Sequence, residues 1–215
     1  MSLPSREVLT QHIAKAIELG KGRNFKQSVE LIIVLRDIDL KSQQVKIREV
    51  VNLPKGRGKE AKVCVVVDPD LAEVAKEAGA YKVITSNELR ELNKKQAKKI
   101  ASECDWVLVK ADLMGVAGRV LGPALGPRGK MPVPVPSGGA LKSLIERYKN
   151  SVLVKIKDQP ILMTAIGTED MKPEDLAENA LAVLSAVESK LPSRTANIGK
   201  LVFKTTMGIP VELAL

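Results

Sequence analysis

The feature that most limits how this chain can fold is a pattern that is interrupted and later resumes. Residues 5–20 read as an amphipathic helix with Leu9, Ile13 and Ile17 on one face, ended by Gly20 and Gly22. Residues 28–35 and 45–53 read as β-branched strands, expected to pair as an antiparallel hairpin. Pro54-Lys-Gly-Arg-Gly-Lys-Glu then breaks the pattern. From Val152 the same texture returns. Residues 152–157 and 161–166 flank Asp158-Gln-Pro as a second expected hairpin. Pro173 opens a helix reaching about Lys190, with Leu176, Ala180, Leu184, Val187 and Leu191 on one face, and 201–205 is a last strand. Neither flank has enough strand to cover its own helix, whereas together they do. The expected fold is a discontinuous α+β domain of ferredoxin-like style, residues 1–62 and 152–215, around an insert at 63–151.

The insert has a different texture. Residues 62–67 are an uninterrupted apolar run, of the kind buried on both faces of a sheet. A helix at 70–79, a short strand at 81–84, a helix opened by a Thr85/Glu88 capping box and running to about Ala101, and a buried strand at 106–109 follow. This alternation implies a parallel, three-layer α/β domain. Residues 115–139 are expected to lack regular structure along most of their length, being rich in glycine and proline. Ser137 is placed to cap a closing helix that ends near Lys149.

Charge and rare residues narrow the function classes. The net charge of +9 and pI of about 9.5 favour polyanionic partners, nucleic acid before an acidic membrane surface. No apolar run is long enough to span a membrane, and residues 1–23 lack a signal-peptide core, which makes the cytosol the default expectation. Cys64 and Cys104 have no second thiol or imidazole at metal-ligand spacing, so no zinc site is expected. In a cytosolic chain no disulfide is expected either, and both cysteines read as core fillers. His12, the one histidine, has no acid or cysteine partner in sequence. Five aromatic residues in 215 argue against rows of base-stacking platforms. Recognition of RNA would rest on backbone, hydroxyls, apolar side chains and cations.

Four segments could carry such chemistry. Gly122-Pro-Ala-Leu-Gly-Pro-Arg-Gly-Lys-Met-Pro offers Arg128 and Lys130 to phosphate on a stiff loop, or is a rigid connection. It is not a Walker loop, because no serine or threonine follows the lysine at the needed spacing. Lys94, Lys95, Lys98 and Lys99 share a helix face, either a solvated surface or a secondary phosphate contact. Thr205-Thr-Met-Gly-Ile-Pro ends the last strand with a hydroxyl able to meet a ribose 2′-OH and a glycine that permits close approach, or is a plain bulge. Phe25, beside Arg23, Asn24 and Ser28, is either core or a wedge against a nucleotide. An enzyme built on the α/β insert would need a phosphate loop, a metal cluster or a histidine acid–base group, and the sequence has none of these.

Leu125-Gly-Pro-Arg-Gly-Lys-Met-Pro together with Thr206-Met207-Gly208 resembles the first large-subunit ribosomal protein family. Asn24-Phe25-Lys26-Gln27-Ser28 and the compact N-terminus resemble its archaeal branch, and the likeness runs over essentially the whole chain. The resemblance implies a split RNA-binding domain with a Rossmann-like insert and no cofactor. It implies a protein monomeric off the ribosome that binds large-subunit rRNA at the mobile stalk beside the tRNA exit site. It also implies help in releasing deacylated tRNA and repression of translation through the protein's own mRNA. Its RNA contacts fall on Phe25, Ser28, Asp158, Lys200, Thr206, Met207 and Gly208, with Arg128 and Lys130 in a secondary RNA-contacting or hinge loop.

Overall fold

The structure, a computed structural model, describes residues 3–38, 47–136, 140–156 and 159–215. Among the described residues the fold is mixed α/β, with two four-stranded sheets and one two-stranded sheet. The chain divides into two compact units, residues 1–59 with 150–215 and residues 60–149.

In unit one, α1 (Arg6–Gly20) starts at Ser5, whose hydroxyl accepts from the Val8 amide and so satisfies a free helix-end donor. Strand β1 (Ser28–Leu35) follows. After β2 (Arg48–Asn52) the chain leaves the unit and re-enters at β7 (Ser151–Lys155). Then come β8 (Ile161–Thr168), α7 (Pro173–Glu188), β9 (Ile198–Thr205) and β10 (Val211–Ala214). The main sheet is antiparallel in the order β10-β9-β1-β8, so β1 lies between two strands from the far end of the chain.

Alternation along β1 sends Val29, Leu31, Ile33 and Leu35 inward with Phe203, Leu201 and Leu162. They pack against Leu9, Ile13 and Ala16 of α1 and Leu176, Ala180, Val183, Leu184 and Val187 of α7. Each fully buried Leu or Ile here stabilises the fold by about 1.5–3 kcal/mol. Asn179, buried in α7, donates to the carbonyls of Gly56 and Ile166 and accepts from the Lys55 amide, joining both chain segments. The opposite sheet face carries Glu30, Ile32 and Val34, with Val202 and Lys204 of β9 and Met163 of β8.

Both expected hairpins are corrected. Strand β2 pairs with β7, Val50 facing Leu153, while β1 takes β8 and β9. The apolar pattern told which face each strand buries but not which neighbour it takes. Strand β10 went unread in the sequence.

Unit two holds β3 (Val63–Val67), α2 (Pro69–Glu77), β4 (Lys82–Thr85), α3 (Ser86–Glu91), α4 (Lys94–Glu103), β5 (Trp106–Lys110), α5 (Met114–Leu125), β6 (Val133–Val135) and α6 (Leu141–Lys149). Its sheet is parallel, in the order β4-β3-β5-β6. Every residue of β3 is buried, as an uninterrupted apolar run requires. The Thr85/Glu88 capping box is present. The helix it opens stops at Glu91, and a second box, Asn93/Gln96, opens α4.

Two further expectations are overturned here. Residues 115–139 are not mainly irregular: α5 and β6 lie in or across them. Burial of Ala117, Leu121, Ala124 and Leu125 outweighs local propensity and the one amide donor that Pro123 lacks in the last turn. Cys64 and Cys104 are both core residues, as expected, but they form a disulfide, with Cα atoms 5.7 Å apart. Ser137 lies outside the described residues.

Candidate nucleic-acid interface

At one end of the main sheet, the loop after α1 and the turn after β9 come together. Thr206 donates its amide to the Ser28 carbonyl at 3.0 Å, and the Ser28 amide donates to Thr206 Oγ1 at 3.1 Å. The threonine hydroxyl thus stands in for a ladder carbonyl where the strands part. The Gly208 amide donates to the Thr205 carbonyl at 3.1 Å and closes the turn. A Cβ on Gly208 would overlap Thr205 Oγ1 and come 3.1 Å from Gly20 Cα, so the close packing of three backbone segments requires glycine.

Two apolar side chains project from this frame. Phe25 is 50% exposed and Met207 59% exposed, and Ile209 beside them is also exposed. The alternative that Phe25 is core is therefore set aside. Lys26 pairs with Asp170 at 2.6 Å, and Lys204 reaches the Thr206 carbonyl at 3.1 Å.

A residue that sequence reading passed over holds the frame. Gln27 is completely buried. Its Nε2 donates to the Gly20 carbonyl (2.7 Å) and Glu169 (3.0 Å), its Oε1 accepts from the Met207 amide (3.0 Å), and its own amide donates to Glu169 (2.8 Å). One side chain thereby fixes the end of α1, the end of β8 and the backbone of Met207.

Lys200 is not part of this cluster. It faces Val34, six residues back from Thr206, roughly 20 Å along the strand at ~3.3 Å per residue. Its ammonium is bound by both Glu212 oxygens, at 2.9 and 3.0 Å. Asp158 lies outside the described residues. His12 bonds the Val8 carbonyl through Nδ1 within its own helix.

In unit two, Arg128 and Lys130 turn towards backbone. Arg128 Nη1 donates to the Ala124 carbonyl at 3.0 Å, in the last turn of α5. Lys130 Nζ donates to the carbonyls of Ala101 (3.0 Å) and Cys104 (2.6 Å), capping the end of α4 where the helix dipole favours a cation. At the ends of β3 and β5, Lys110 lies 2.6 Å from Asp68 and 3.1 Å from Asp112. The hydrogen bond from Lys110 chiefly holds the Asp68 carboxyl below the usual carboxylate range, against a smaller opposing push from burial. The bonds to Asp68 and then Asp112 raise Lys110. Among the described residues no cluster of three or more acids, histidines and cysteines is set to hold a metal, and no helix is long and apolar enough to cross a membrane.

Residues 12–209 match the model of the ribosomal protein L1p/L10e family. The chain belongs to this family. It is 58% identical over 213 residues to the large ribosomal subunit protein uL1 of the archaeon Staphylothermus marinus, covering 99% of each chain. It is 56% identical over 207 residues to that of Aeropyrum pernix, covering 95% of this chain and 94% of the relative. It is 51% identical over 217 residues to that of Hyperthermus butylicus, covering both chains in full. L1p/L10e members are structural ribosomal proteins, and the enzyme alternative falls with that membership.

Proposed function

We propose that this chain is a structural protein of the large ribosomal subunit whose first unit binds rRNA, at the mobile stalk beside the tRNA exit site. The observation that carries the reading is the exposed pair Phe25 and Met207 on a frame fixed by Ser28–Thr206 and Gln27. Exposed apolar side chains that are positioned from below suit packing on sugar and base faces. The Ser28 and Thr206 hydroxyls and the Gly208 carbonyl suit hydrogen bonds to a folded RNA. Membership of a ribosomal protein family favours RNA over other partners for this surface.

Unit one, residues 1–59 with 150–215, then acts as the ferredoxin-like RNA-binding domain and unit two, residues 60–149, as a Rossmann-like insert, within three residues of the bounds 1–62, 152–215 and 63–151 expected from the sequence. Lys200, bound to Glu212, contributes a second contact at the far end of the strands, and Asp158 contributes a further one. Arg128 and Lys130 hold helix-end carbonyls and keep further donors for a secondary RNA contact or a hinge. The protein works in the cytoplasm on the ribosome, is a monomer away from it, helps release deacylated tRNA, and represses translation of its own mRNA. Crosslinking of bound RNA in cells tests this reading. Expected reads fall on large-subunit rRNA, exit-site tRNA and the protein's own message. Crosslinks confined to other RNAs overturn it.

A further inference from the structure

We propose that the exposed face of α4 in unit two is a second RNA-contacting surface, one that grips phosphate without reading sequence. The inference rests on the reading that the chain works on RNA, but uses a surface other than that of Phe25 and Met207.

Charge is concentrated at this corner. Residues 60–149 carry fifteen lysines and arginines against eleven acids, a net of +4. The eighteen residues 82–99 carry six cations (Lys82, Arg90, Lys94, Lys95, Lys98 and Lys99) against Glu88 and Glu91, also +4. The whole excess of the unit therefore sits on β4, α3 and the start of α4. Cations elsewhere in the unit are largely engaged. Lys62 lies over the Tyr81 ring, Lys110 is held by two aspartates, Lys142 by Glu77 and Lys149 by Glu60, while Arg128 and Lys130 bond carbonyls. By contrast, Lys94, Lys95 and Lys98 make no side-chain hydrogen bond or ion pair among the described residues, and Lys99 has only a 3.9 Å pair with Glu103.

The geometry makes one surface of these groups. Helical spacing puts the four α4 lysines on the side away from the buried Ala97, Ile100 and Ala101, and all four are exposed. Lys82 and Lys99 border a groove of about 470 Å3 between β4, α3 and α4. The groove itself suits no phosphate, because Glu88 and Glu91 line it, so the contact falls on the helix face.

Stability does not account for the placement. Helices α1, α2, α3 and α7 carry an acid in their first turn, where the dipole favours negative charge, and α4, α5 and α6 carry none. Helix α4 carries Lys94 and Lys95 there and no acid. Unpaired lysines on the disfavoured end of a helix are a local conflict of the kind that a ligand resolves. A run of phosphates is the complementary chemistry, and point-charge contacts to phosphate carry no sequence information.

The test uses the full chain with Lys94→Gln, Lys95→Gln and Lys98→Gln combined. All three side chains are exposed, so an unchanged melting temperature is the control for folding. Affinity for a 20-base-pair RNA duplex of arbitrary sequence is titrated against salt. Loss of three phosphate contacts should reduce the slope of log affinity against log salt by roughly 2–3, and weaken binding about tenfold at low salt. Thr206→Ala with Met207→Ala should leave that slope in place, so the two surfaces fail separately. An unchanged slope in the lysine variant overturns the proposal. So does a lysine variant that loses binding to poly-glutamate but not to the duplex, since that would mark an acidic protein as the partner.

Discussion

Ser28 and Thr206 hold each other at the end of the β1–β9 ladder, amide to carbonyl at 3.0 Å and amide to hydroxyl at 3.1 Å. The second bond exists only because position 206 has a hydroxyl. Thr206→Val keeps the shape and leaves the half-buried Ser28 amide without its acceptor. Denaturant unfolding should show a loss of about 1 kcal/mol. Thr206→Ser should restore most of it. Equal stability of all three proteins would mean the bond does not hold the turn.

Gly208 and Gly20 both leave room for Thr205, whose buried hydroxyl has no hydrogen-bond partner among the described residues. Gly208→Ala should cost about 2 kcal/mol, the range of an overpacked core. Removing the obstacle should rescue it: Gly208→Ala with Thr205→Ala should be less destabilised than the sum of the two single changes. Additive losses would contradict the contact.

The Cys64–Cys104 disulfide closes a stretch of 40 residues in unit two. On loop entropy alone it contributes about 4 kcal/mol. Cys64→Ala with Cys104→Ala should lower the melting temperature of that unit by ~20 °C. Thiol titration of the unfolded wild type without reductant should find no free thiol, and two free thiols would contradict the bond.

The Asp68–Lys110–Asp112 cluster sets a pH dependence. Asp68 is lowered, so its contribution is present above the ordinary carboxylate range and lost as pH falls through its own lowered value. Lys110 is raised, so its contribution is present below the ordinary lysine range and lost as pH rises through its raised value. The melting temperature of Lys110→Met should therefore lie below wild type at neutral pH, with the gap closing in acid. A gap independent of pH would assign the loss to packing.

The sequence carried local information well and long-range information poorly. The unbroken apolar run of β3, the capping box at Thr85 and the face of α7 were legible because each depends on neighbours a few residues away. The pairing of β1 with β8 and β9 spans well over a hundred residues, and alternation gives only the buried face. The disulfide was missed because compartment was weighed and proximity could not be. Helix α5 was missed because burial overrode its glycines and Pro123. Within the site, Thr206, Met207 and Gly208 came from a motif. Gln27 stood inside the motif of residues 24–28 without a role, since nothing in one dimension tells a buried glutamine from a solvated one.

The central claim is that the exposed side chains on the Ser28–Thr206 frame read RNA. Phe25 and Met207 are at least half exposed, so replacing them should leave folding almost untouched. The deciding measurement is the affinity of Phe25→Ala and Met207→Ala for a stalk rRNA fragment and for an unrelated RNA duplex, at several salt concentrations. The expected result is about a tenfold loss on the rRNA for each variant, with duplex binding and salt slope unchanged. Wild-type affinity for the rRNA in both variants, with melting temperatures also unchanged, would contradict the account.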